Sequence, residues 1–452
     1  MRHPKDRSGV TRKQLLRGAA VAVGGAGAAA ALAACQNTTT AIGACEDGTG
    51  EGTVAGGDGG GGGLASNLVV AKPAGPGGLP LPRADNSVEW AITEDNPMPP
   101  EGLKTEGGTL RFFNYPDYID PGTLKKFGKQ FDCKVAPGTY NSEDEAVAKL
   151  RSGQVPFDVL VFSATHIVDL MARQLLLPLN RAYLPNLEKN IWPQLQDPFY
   201  DRGSNYTVPY LTWQDGIGWR NDKIDADIGA MDVPWDIFWE SEDWRGKVGL
   251  LDDKRDGLSM PMQRDAMRGG YVADLNTEDP ELIAKAGSDL EELNDICNIK
   301  VTITQYQTLP EGKSWLNHAW SGDLLNAVIF YLEGTDTKPQ DLSYWGPDSG
   351  GVVQNDFLCI PRTTDKPALA HAFLNFLLDE KNAYDNMINY VGYQPPQKNF
   401  DPDTLITSGL IPRTLEKAII RPEQFAVNQE VLQLTVEGER EWDQAWSKFK
   451  AG

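Results

Sequence analysis

The sequence predicts an α/β protein of two lobes, each with a central β-sheet flanked by helices. Strand and helix patterns alternate from Thr109 onward, and a second alternating region occupies residues 215–352. The first part of the chain, about 100 residues, has few large apolar side chains, which leaves about 345 of the 452 residues for folding. That length is sufficient for two lobes of ordinary size.

The first 34 residues have the pattern of an export signal peptide. Basic residues precede an apolar run, rich in alanine and glycine, from Gly18 to Ala34. The run is too short and too rich in glycine to favour a membrane-spanning helix. Leu32-Ala33-Ala34-Cys35 looks like a bacterial lipobox, so Cys35 is the predicted site of lipidation, with an ordinary leader cleaved elsewhere as the alternative. The export route, twin-arginine or general, stays open.

Residues 35–107 are rich in threonine, glycine and proline, and include five consecutive glycines from Gly59 to Gly63. This composition predicts a flexible linker. With a lipid on Cys35, the linker would hold the folded part near the extracytoplasmic face of the bacterial cell membrane.

The first lobe begins with three strand patterns, each followed by a helix pattern. Asp120 and Pro121 are predicted to cap and begin the first helix. Ser142, with Glu145 three residues later, predicts a capping box at the second. Because strands alternate with helices, the sheet is predicted to be parallel. The predicted strands are Thr109–Phe113, Cys133–Val135 and Phe157–Phe162.

The second alternating region supplies the second lobe, after which the chain returns to the first. Phe357–Pro361 is a predicted strand, and Pro367 is predicted to begin a helix. We therefore assign residues 108–214 and 356–400 to the first lobe, and residues 215–352 and 405–452 to the second.

Composition and charge narrow the classes of function. Hydrophobic residues make up 40% of the chain and charged residues 23%, as in a soluble globular protein. The net charge of −21 disfavours nucleic-acid binding and attracts cations, although the need for solubility can also explain the acidity.

The residues that usually carry chemistry give no sign of an enzyme or a metal site. The cysteines have no metal-ligand spacing, and neither a Gly-x-Ser-x-Gly nor a His-Glu-x-x-His motif is present. We therefore predict no catalytic residue, no metal and no cofactor. An exported hydrolase and an anchored interaction protein are the alternatives from other classes.

Aromatic side chains collect just after the predicted strands. In open α/β sheets, ligands bind beyond the carboxyl ends of strands. Tyr115 and Tyr118 follow the first strand, Tyr140 follows the second, and His166 follows the third. The segments just after these strands are therefore the predicted binding region. Alternatively, these aromatic residues could belong to turns and simply pack on the edge of the sheet.

The order of short motifs resembles that of the spermidine/putrescine-binding proteins of bacterial ABC importers, which have the type II periplasmic-binding-protein fold. The resemblance runs from Leu110 to Pro396 and implies a polyamine bound in a cleft between the lobes and delivered to permease subunits by a monomeric protein. The motifs are Phe112-Phe113-Asn114-Tyr115-Pro116-Asp117-Tyr118, Phe157-Asp158-Val159-Leu160-Val161, Val208-Pro209-Tyr210, Leu251-Asp252-Asp253, Asp356-Phe357-Leu358-Cys359-Ile360-Pro361 and Val391-Gly392-Tyr393-Gln394-Pro395.

The resemblance also implies a set of ligand contacts. Tyr115 stands where the family has a tryptophan, His166 where it often has another aromatic residue, and Gln354 where better-known members have a tryptophan. The implied ligand-binding residues are Tyr115, Tyr118, His166, Asp253, Asp256, Trp320, Asp356 and Tyr393.

These residue types suit a polyamine, whose ammonium groups are separated by methylenes. Carboxylates replace the hydration of the ammonium groups, and aromatic faces cover the chain. An isolated buried carboxylate is costly, so we expect these acids to be hydrated in an open cleft and to pair on closure. Asp253 could instead only cap a helix, Asp256 could be solvated, and the ligand could be another small organic cation or solute.

Overall fold

The computed structural model describes residues 74–153 and 156–452. In this part of the chain the strands pair in the order β2-β1-β3-β9-β4-β7-β5-β6, and β8 also pairs with β4. The strands are β1 (Gly108–Asn114), β2 (Cys133–Thr139), β3 (Val159–Phe162), β4 (Val208–Arg220), β5 (Val248–Leu251), β6 (Lys300–Thr302), β7 (Leu316–Trp320), β8 (Leu342–Trp345) and β9 (Val353–Cys359).

Helices flank the strands throughout the described residues. They are α1 (Pro121–Phe131), α2 (Glu143–Ser152), α3 (Ile167–Ala172), α4 (Pro185–Asn190), α5 (Lys254–Gly269), α6 (Pro280–Cys297), α7 (Gln305–Thr308), α8 (Ser321–Asn326), α9 (Pro367–Leu377), α10 (Glu380–Asn386), α11 (Asp403–Thr407), α12 (Gln424–Val427) and α13 (Val436–Ala451). Single π-helical turns, Ala327–Tyr331 and Met387–Val391, extend α8 and α10.

Strand β4 is common to two sheets. Up to Gln214 it pairs with β9 of the first sheet, which also contains β1, β2 and β3. From Asp215 onward it pairs with β7 and β8 of the second sheet, which also contains β5 and β6. All thirteen of its residues are buried. The lobe boundary between residues 214 and 215 stays a prediction, and this change of partner supports it.

The predicted parallel pairing is correct only for part of the strands. Strand β1 lies parallel to β2 and β3, and β5 lies parallel to β6 and β7. Strands β4 and β9, however, are antiparallel to each other and to their other neighbours. A helix between two strands gives parallel pairing only when the chain returns across the same sheet. Strand β4 instead runs from one sheet into the other, so the rule does not apply to it.

The predicted helix starts are largely confirmed. The carboxylate of Asp120 accepts hydrogen bonds from the backbone N–H groups of Gly122 and Thr123 at 2.9 and 3.1 Å. Ser142 Oγ accepts from the N–H of Glu145 at 3.3 Å. The carboxylate of Glu145 accepts from the N–H of Asn141 rather than from that of Ser142, so the reciprocal half of the capping box is displaced by one residue.

Residues 74–107, which the sequence assigns to a flexible linker, pack against the folded body. Trp90 is buried, and its Nε1 donates a hydrogen bond to the carbonyl oxygen of Tyr200 at 2.8 Å. Val88 exchanges backbone hydrogen bonds with Phe199 and Arg202. The apolar residues of this segment are isolated among polar residues, so they form no periodic pattern in the sequence. The linker predicted for residues 35–107 therefore extends too far toward the carboxyl terminus.

No helix of the described residues has the length and apolar character needed to cross a membrane. Cys35, the signal peptide and residues 35–73 of the linker lie outside the described residues, so those assignments stay predictions.

Candidate ligand-binding site

Asp356 lies in β9, where the first sheet meets the second, and is surrounded by aromatic side chains. It is paired with Leu211 of β4 and is buried. Its Oδ2 accepts a hydrogen bond from Tyr118 Oη, and its Oδ1 accepts one from Trp213 Nε1 at 3.2 Å. The strand predicted from residue 357 begins earlier, at Val353, so Asp356 has the fixed position of a strand residue.

Burial raises the pKa of Asp356 to about 7. The hydrogen bond from Tyr118 opposes this rise in pKa, whereas the nearby charge of Glu143 adds to it. Near neutral pH the carboxyl group is therefore partly protonated, and a cation in contact with it would favour its ionised form.

A second buried carboxylate comes from α5, the helix that follows β5 of the second sheet. Asp256 lies in the first turn of α5, and its Oδ2 accepts a hydrogen bond from Trp320 Nε1 at 2.8 Å. Burial, together with the charges of Asp215 and Asp253, raises the pKa of Asp256 well above its usual range. The alternative in which Asp256 is merely solvated is wrong, because only 4% of the residue is exposed.

Two tryptophan rings connect these carboxylates. The Trp213 and Trp320 rings lie 5.6 Å apart between centroids, and each indole donates to a different carboxylate. Sequence reasoning identified Trp320 but missed Trp213. An aromatic residue inside a fully buried strand is typical of a core, so the sequence gives no signal that separates Trp213 from its neighbours.

Tyr393, which follows α10 and its π-helical turn, adds a further ring to the aromatic side chains around Asp356. Its ring meets the Tyr118 ring edge to face at 5.0 Å, and its Oη donates to Asp323 Oδ1 at 2.8 Å. Burial raises the pKa of Asp323 to about 8. Asp323 was missed, because one acid in a helix start is commonly a solvated or capping residue. The Tyr393 ring packs directly on Gly322, where a Cβ atom would overlap it.

Tyr115 extends the aromatic group toward the second strand exit. Its ring lies 5.8 Å from that of Tyr118 and 4.5 Å from that of Tyr140. Tyr115 is partly buried, whereas Tyr118 is buried. The structure thus places Tyr115, Tyr118, Trp320 and Tyr393 around the two buried carboxylates.

Asp253 caps a helix, which was the alternative interpretation. Its Oδ1 accepts from the N–H groups of Arg255 and Asp256 at 2.8 and 3.2 Å, at the start of α5. Burial raises the pKa of Asp253 despite these hydrogen bonds. A direct ligand contact for Asp253 stays a prediction.

The imidazole ring of His166 contacts two carboxylates, whereas the resemblance implied an aromatic contact with the ligand. Its Nδ1 lies 2.6 Å from Glu143 Oε2, and its Nε2 lies 3.3 Å from Asp144 Oδ1. Burial opposes the charged imidazolium, but the two carboxylates outweigh burial and raise the pKa of His166 to about 10. Sequence reasoning missed Glu143, because as the first residue of α2 it has the pattern of an ordinary acid in a first helical turn.

The second sheet contains one further buried acid, at the point where β4 changes partner. Asp215 Oδ2 lies 3.2 Å from His318 Nε2, and both side chains are fully buried. Burial lowers the pKa of His318 to about 3 and raises that of Asp215 well above its usual range.

The expectation that the acids lie hydrated in an open cleft is wrong for Asp256 and Asp356, whereas Asp253 is partly exposed. Asp256 and Asp356 are each only 4% exposed, because aromatic side chains from both sheets cover them. Gln354, at the position where a tryptophan was considered, is also buried and donates to the carbonyl oxygen of Val431 at 2.9 Å. Within the described residues, no group of His, Cys, Asp and Glu side chains is arranged to hold a metal ion.

Comparison with known proteins agrees with this architecture. Residues 123–410 match the model of the family described as bacterial extracellular solute-binding protein. The chain is 28% identical over 294 residues to the spermidine/putrescine-binding periplasmic protein of Escherichia coli, covering 64% of this chain and 78% of that relative. It is 24% identical over 326 residues to a putrescine/cadaverine-binding protein of Pseudomonas aeruginosa, covering 70% and 89%.

A solved structure shows the same fold. The crystal structure of a spermidine/putrescine ABC transporter substrate-binding protein from Streptococcus pneumoniae superposes with a TM-score of 0.59 at 24% identity, covering 76% of this chain and 99% of that one. The predicted α/β fold of the type II periplasmic binding proteins is thereby confirmed. The family match covers more than half of the sequence, and the chain belongs to the family of bacterial extracellular solute-binding proteins.

Proposed function

We propose that this protein is a lipid-anchored, extracytoplasmic solute-binding protein of an ABC importer that binds a polyamine, such as spermidine or putrescine, and delivers it to the permease. One observation carries the proposal. Asp256 and Asp356 are buried, and their described hydrogen bonds come from tyrosine and tryptophan rather than from lysine or arginine. The neighbouring cation Arg255 is instead paired with Glu439 at 3.7 Å.

A buried carboxylate without a cation is costly, and the protein lowers this cost by holding the proton. An ammonium group would replace that proton and form a charge-assisted hydrogen bond in a region of low dielectric constant. The Trp213 and Trp320 rings lie next to each other, each donating to one of the two carboxylates, and their faces can cover methylene groups and attract the cationic ends. A molecule with two amino groups joined by a short apolar chain matches this pattern.

Ligand contact with both sheets supplies the transport signal. Asp356 belongs to β9 of the first sheet, and Asp256 to the helix that follows β5 of the second. A ligand that binds both acids stabilises the closed arrangement by the difference in its affinity for the closed and open forms. The permease can then distinguish the loaded protein from the empty one.

The relatives support the choice of ligand, because those from E. coli and P. aeruginosa are named for spermidine, putrescine and cadaverine binding. The lipobox-like sequence before Cys35 supports a lipid anchor on that residue. We propose a monomer with no enzymatic activity, since the family members found are solute-binding proteins.

A panel of ligands tests the proposal. We expect putrescine, cadaverine or spermidine to bind in calorimetry with a dissociation constant in the micromolar range or below, about −8 kcal/mol or stronger. The same compounds should raise the melting temperature, and added salt should weaken binding because charge pairing contributes. Neutral amino acids and sugars serve as controls. Stabilisation by these controls alone would retain the fold and reject the polyamine.

Binding should also release protons and should strengthen as the pH rises. Burial raises the pKa of Asp356 to about 7 and that of Asp323 to about 8 in the ligand-free protein. Because only the ionised forms attract an ammonium, affinity should increase from about pH 5.5 to about pH 8. Calorimetry near pH 7 in two buffers of different ionisation enthalpy measures the protons released.

The stability of the ligand-free protein should fall as the pH rises, whereas the affinity for the ligand should increase. A carboxyl whose folded-state pKa is raised stabilises the fold fully below its unfolded pKa, and this contribution is lost as the pH rises through the folded value. The ligand-free melting temperature should therefore fall between about pH 5 and pH 8, and the shift caused by ligand should grow. An affinity independent of pH, with no proton release, would show that the buried acids do not face the cation.

A further inference from the structure

Glu143 is a buried carboxylate that already has a complete set of partners. Its Oε1 accepts from the N–H of Ser163 at 2.6 Å. Its Oε2 accepts from Ser163 Oγ at 2.9 Å and Thr165 Oγ1 at 3.1 Å, and lies 2.6 Å from His166 Nδ1. Glu143 is 7% exposed, whereas the side chain of His166 is 21% exposed. An acid of the protein is thus neutralised by a cation of the protein.

This ion pair lies beside the proposed ligand site. The charge of Glu143 is close enough to raise the pKa values of Tyr115, Asp253 and Asp356. A chain of ring contacts leads from Tyr115 through Tyr140 and Phe162 to His166, with centroid separations of 4.5, 6.3 and 6.2 Å. Glu143 therefore belongs to the same electrostatic environment as the carboxylates that hold the ligand.

We infer that His166 acts as a cation supplied by the protein itself. Its imidazolium group takes the place beside Glu143 that the third ammonium group of a triamine would take, so the site selects diamines over triamines. This inference rests on the proposed function and deepens it. A diamine brings one ammonium for Asp356 and one for Asp256. A third ammonium directed at Glu143 would meet the imidazolium instead of a free carboxylate.

The physical reason is the balance of charge in a region with little water. Like charges repel strongly when neither is hydrated, so a third ammonium is disfavoured unless it displaces the imidazolium from Glu143 Oε2, the oxygen that also accepts from two hydroxyl groups. His166 is also held from the other side by Asp144, whose carboxylate is 81% exposed and keeps the ring in place. A neutral side chain at position 166 would leave Glu143 available to an ammonium.

The test is the ratio of affinities for putrescine and spermidine in the full chain. We expect the wild type to bind putrescine more tightly, and His166→Gln to shift the ratio toward spermidine by about tenfold or more, which corresponds to ~1.4 kcal/mol. The double variant His166→Gln with Glu143→Gln removes the acid as well and should return the ratio toward the wild-type value. The ratio of the two affinities is the informative quantity, because loosened packing would weaken the binding of both amines to a similar extent.

Arg173→Gln is a matched control. The side chain of Arg173 is 39% exposed and pairs with Asp169 at 2.8 Å. Arg173 follows the end of α3, whereas His166 precedes its start, so the substitution removes a positive charge from the same helix without changing Glu143. The ratio should not move in this variant. An unchanged ratio in His166→Gln, with both amines still bound, would overturn the inference and leave the proposed function standing, whereas no polyamine binding by the wild type would overturn both.

Imidazole NMR supplies a readout that needs no variant. The chain has four histidines, so the ring signals are few. We expect the His166 ring to carry both protons near pH 8, with and without putrescine, because its pKa is raised to about 10. A neutral ring at that pH would overturn the inference even if His166→Gln failed to fold.

Discussion

Asp356→Asn should lower the affinity for the preferred polyamine by about 100-fold or more, which corresponds to ~3 kcal/mol. The substitution leaves a buried ammonium without its charge partner, and this loss is far larger than that of an exposed ion pair. The ligand-free fold should change little, because the amide has nearly the same shape and cannot ionise. At about pH 8 the variant should even match or exceed the wild type in melting temperature, since burial raises the pKa of Asp356 to about 7.

Calorimetry and thermal unfolding of the two proteins, measured at the same pH, separate binding from stability. Asp365→Asn is the matched control, because the side chain of Asp365 is 70% exposed and pairs at the surface with Lys366 and Arg111. It should change the affinity by less than about twofold. Asp356 would not be a ligand contact if Asp356→Asn kept wild-type affinity, or if it lost affinity only in proportion to a loss of folded protein.

Gly322→Ala should have the second-largest effect. A Cβ atom on Gly322 would overlap the ring of Tyr393, which also contacts Tyr118 and donates to Asp323. The ring must move, so we expect the free energy of unfolding to fall by about 1–3 kcal/mol. Displacing Tyr393 also opens the aromatic group, and polyamine affinity should fall by about 30-fold or more.

Gly287→Ala is the control, because Gly287 is also helical but has room. Its Cβ atom would lie 3.4 Å from Ala445, which is an ordinary contact, so the variant should gain up to about 1 kcal/mol of stability from helix propensity. Its polyamine affinity should stay at the wild-type value. Equal effects of the two substitutions on binding would show that the contact between Gly322 and Tyr393 is not specific to the site.

The resemblance to the family indicated several residues that the structure brings together at the candidate site, although they are far apart in the chain. Tyr118 and Asp356 are hydrogen bonded across 238 positions of chain, and Trp320 and Asp256 across 64. The electrostatic partners were harder to predict. Asp323 and Glu143 each lie in a first helical turn, where acids are common for reasons unrelated to ligands, and only the tertiary structure shows that both are buried.

The fold was predictable in class but not in its connections. Alternating patterns predicted the mixed α/β class and strands at β1, β2, β3 and β9, yet the direction of β4 and β9 depends on the path of the chain between two sheets, which local patterns do not record. Trp90 illustrates a second limit. It belongs to a segment without periodicity, and its burial depends on a partner 110 residues away, the carbonyl oxygen of Tyr200.

The shared strand β4 has a mechanical consequence. At its junction, the N–H of Gln214 donates to Ser321 Oγ at 3.2 Å and that of Asp215 to the carbonyl oxygen of Val352 at 3.1 Å. Both hydrogen bonds lie outside the registers that pair β4 with β7, β8 and β9. We therefore expect rotation of one sheet against the other to be absorbed as torsion at this junction while the ladders stay intact. We expect the amide protons of β4 to exchange slowly with solvent even as the protein opens and closes.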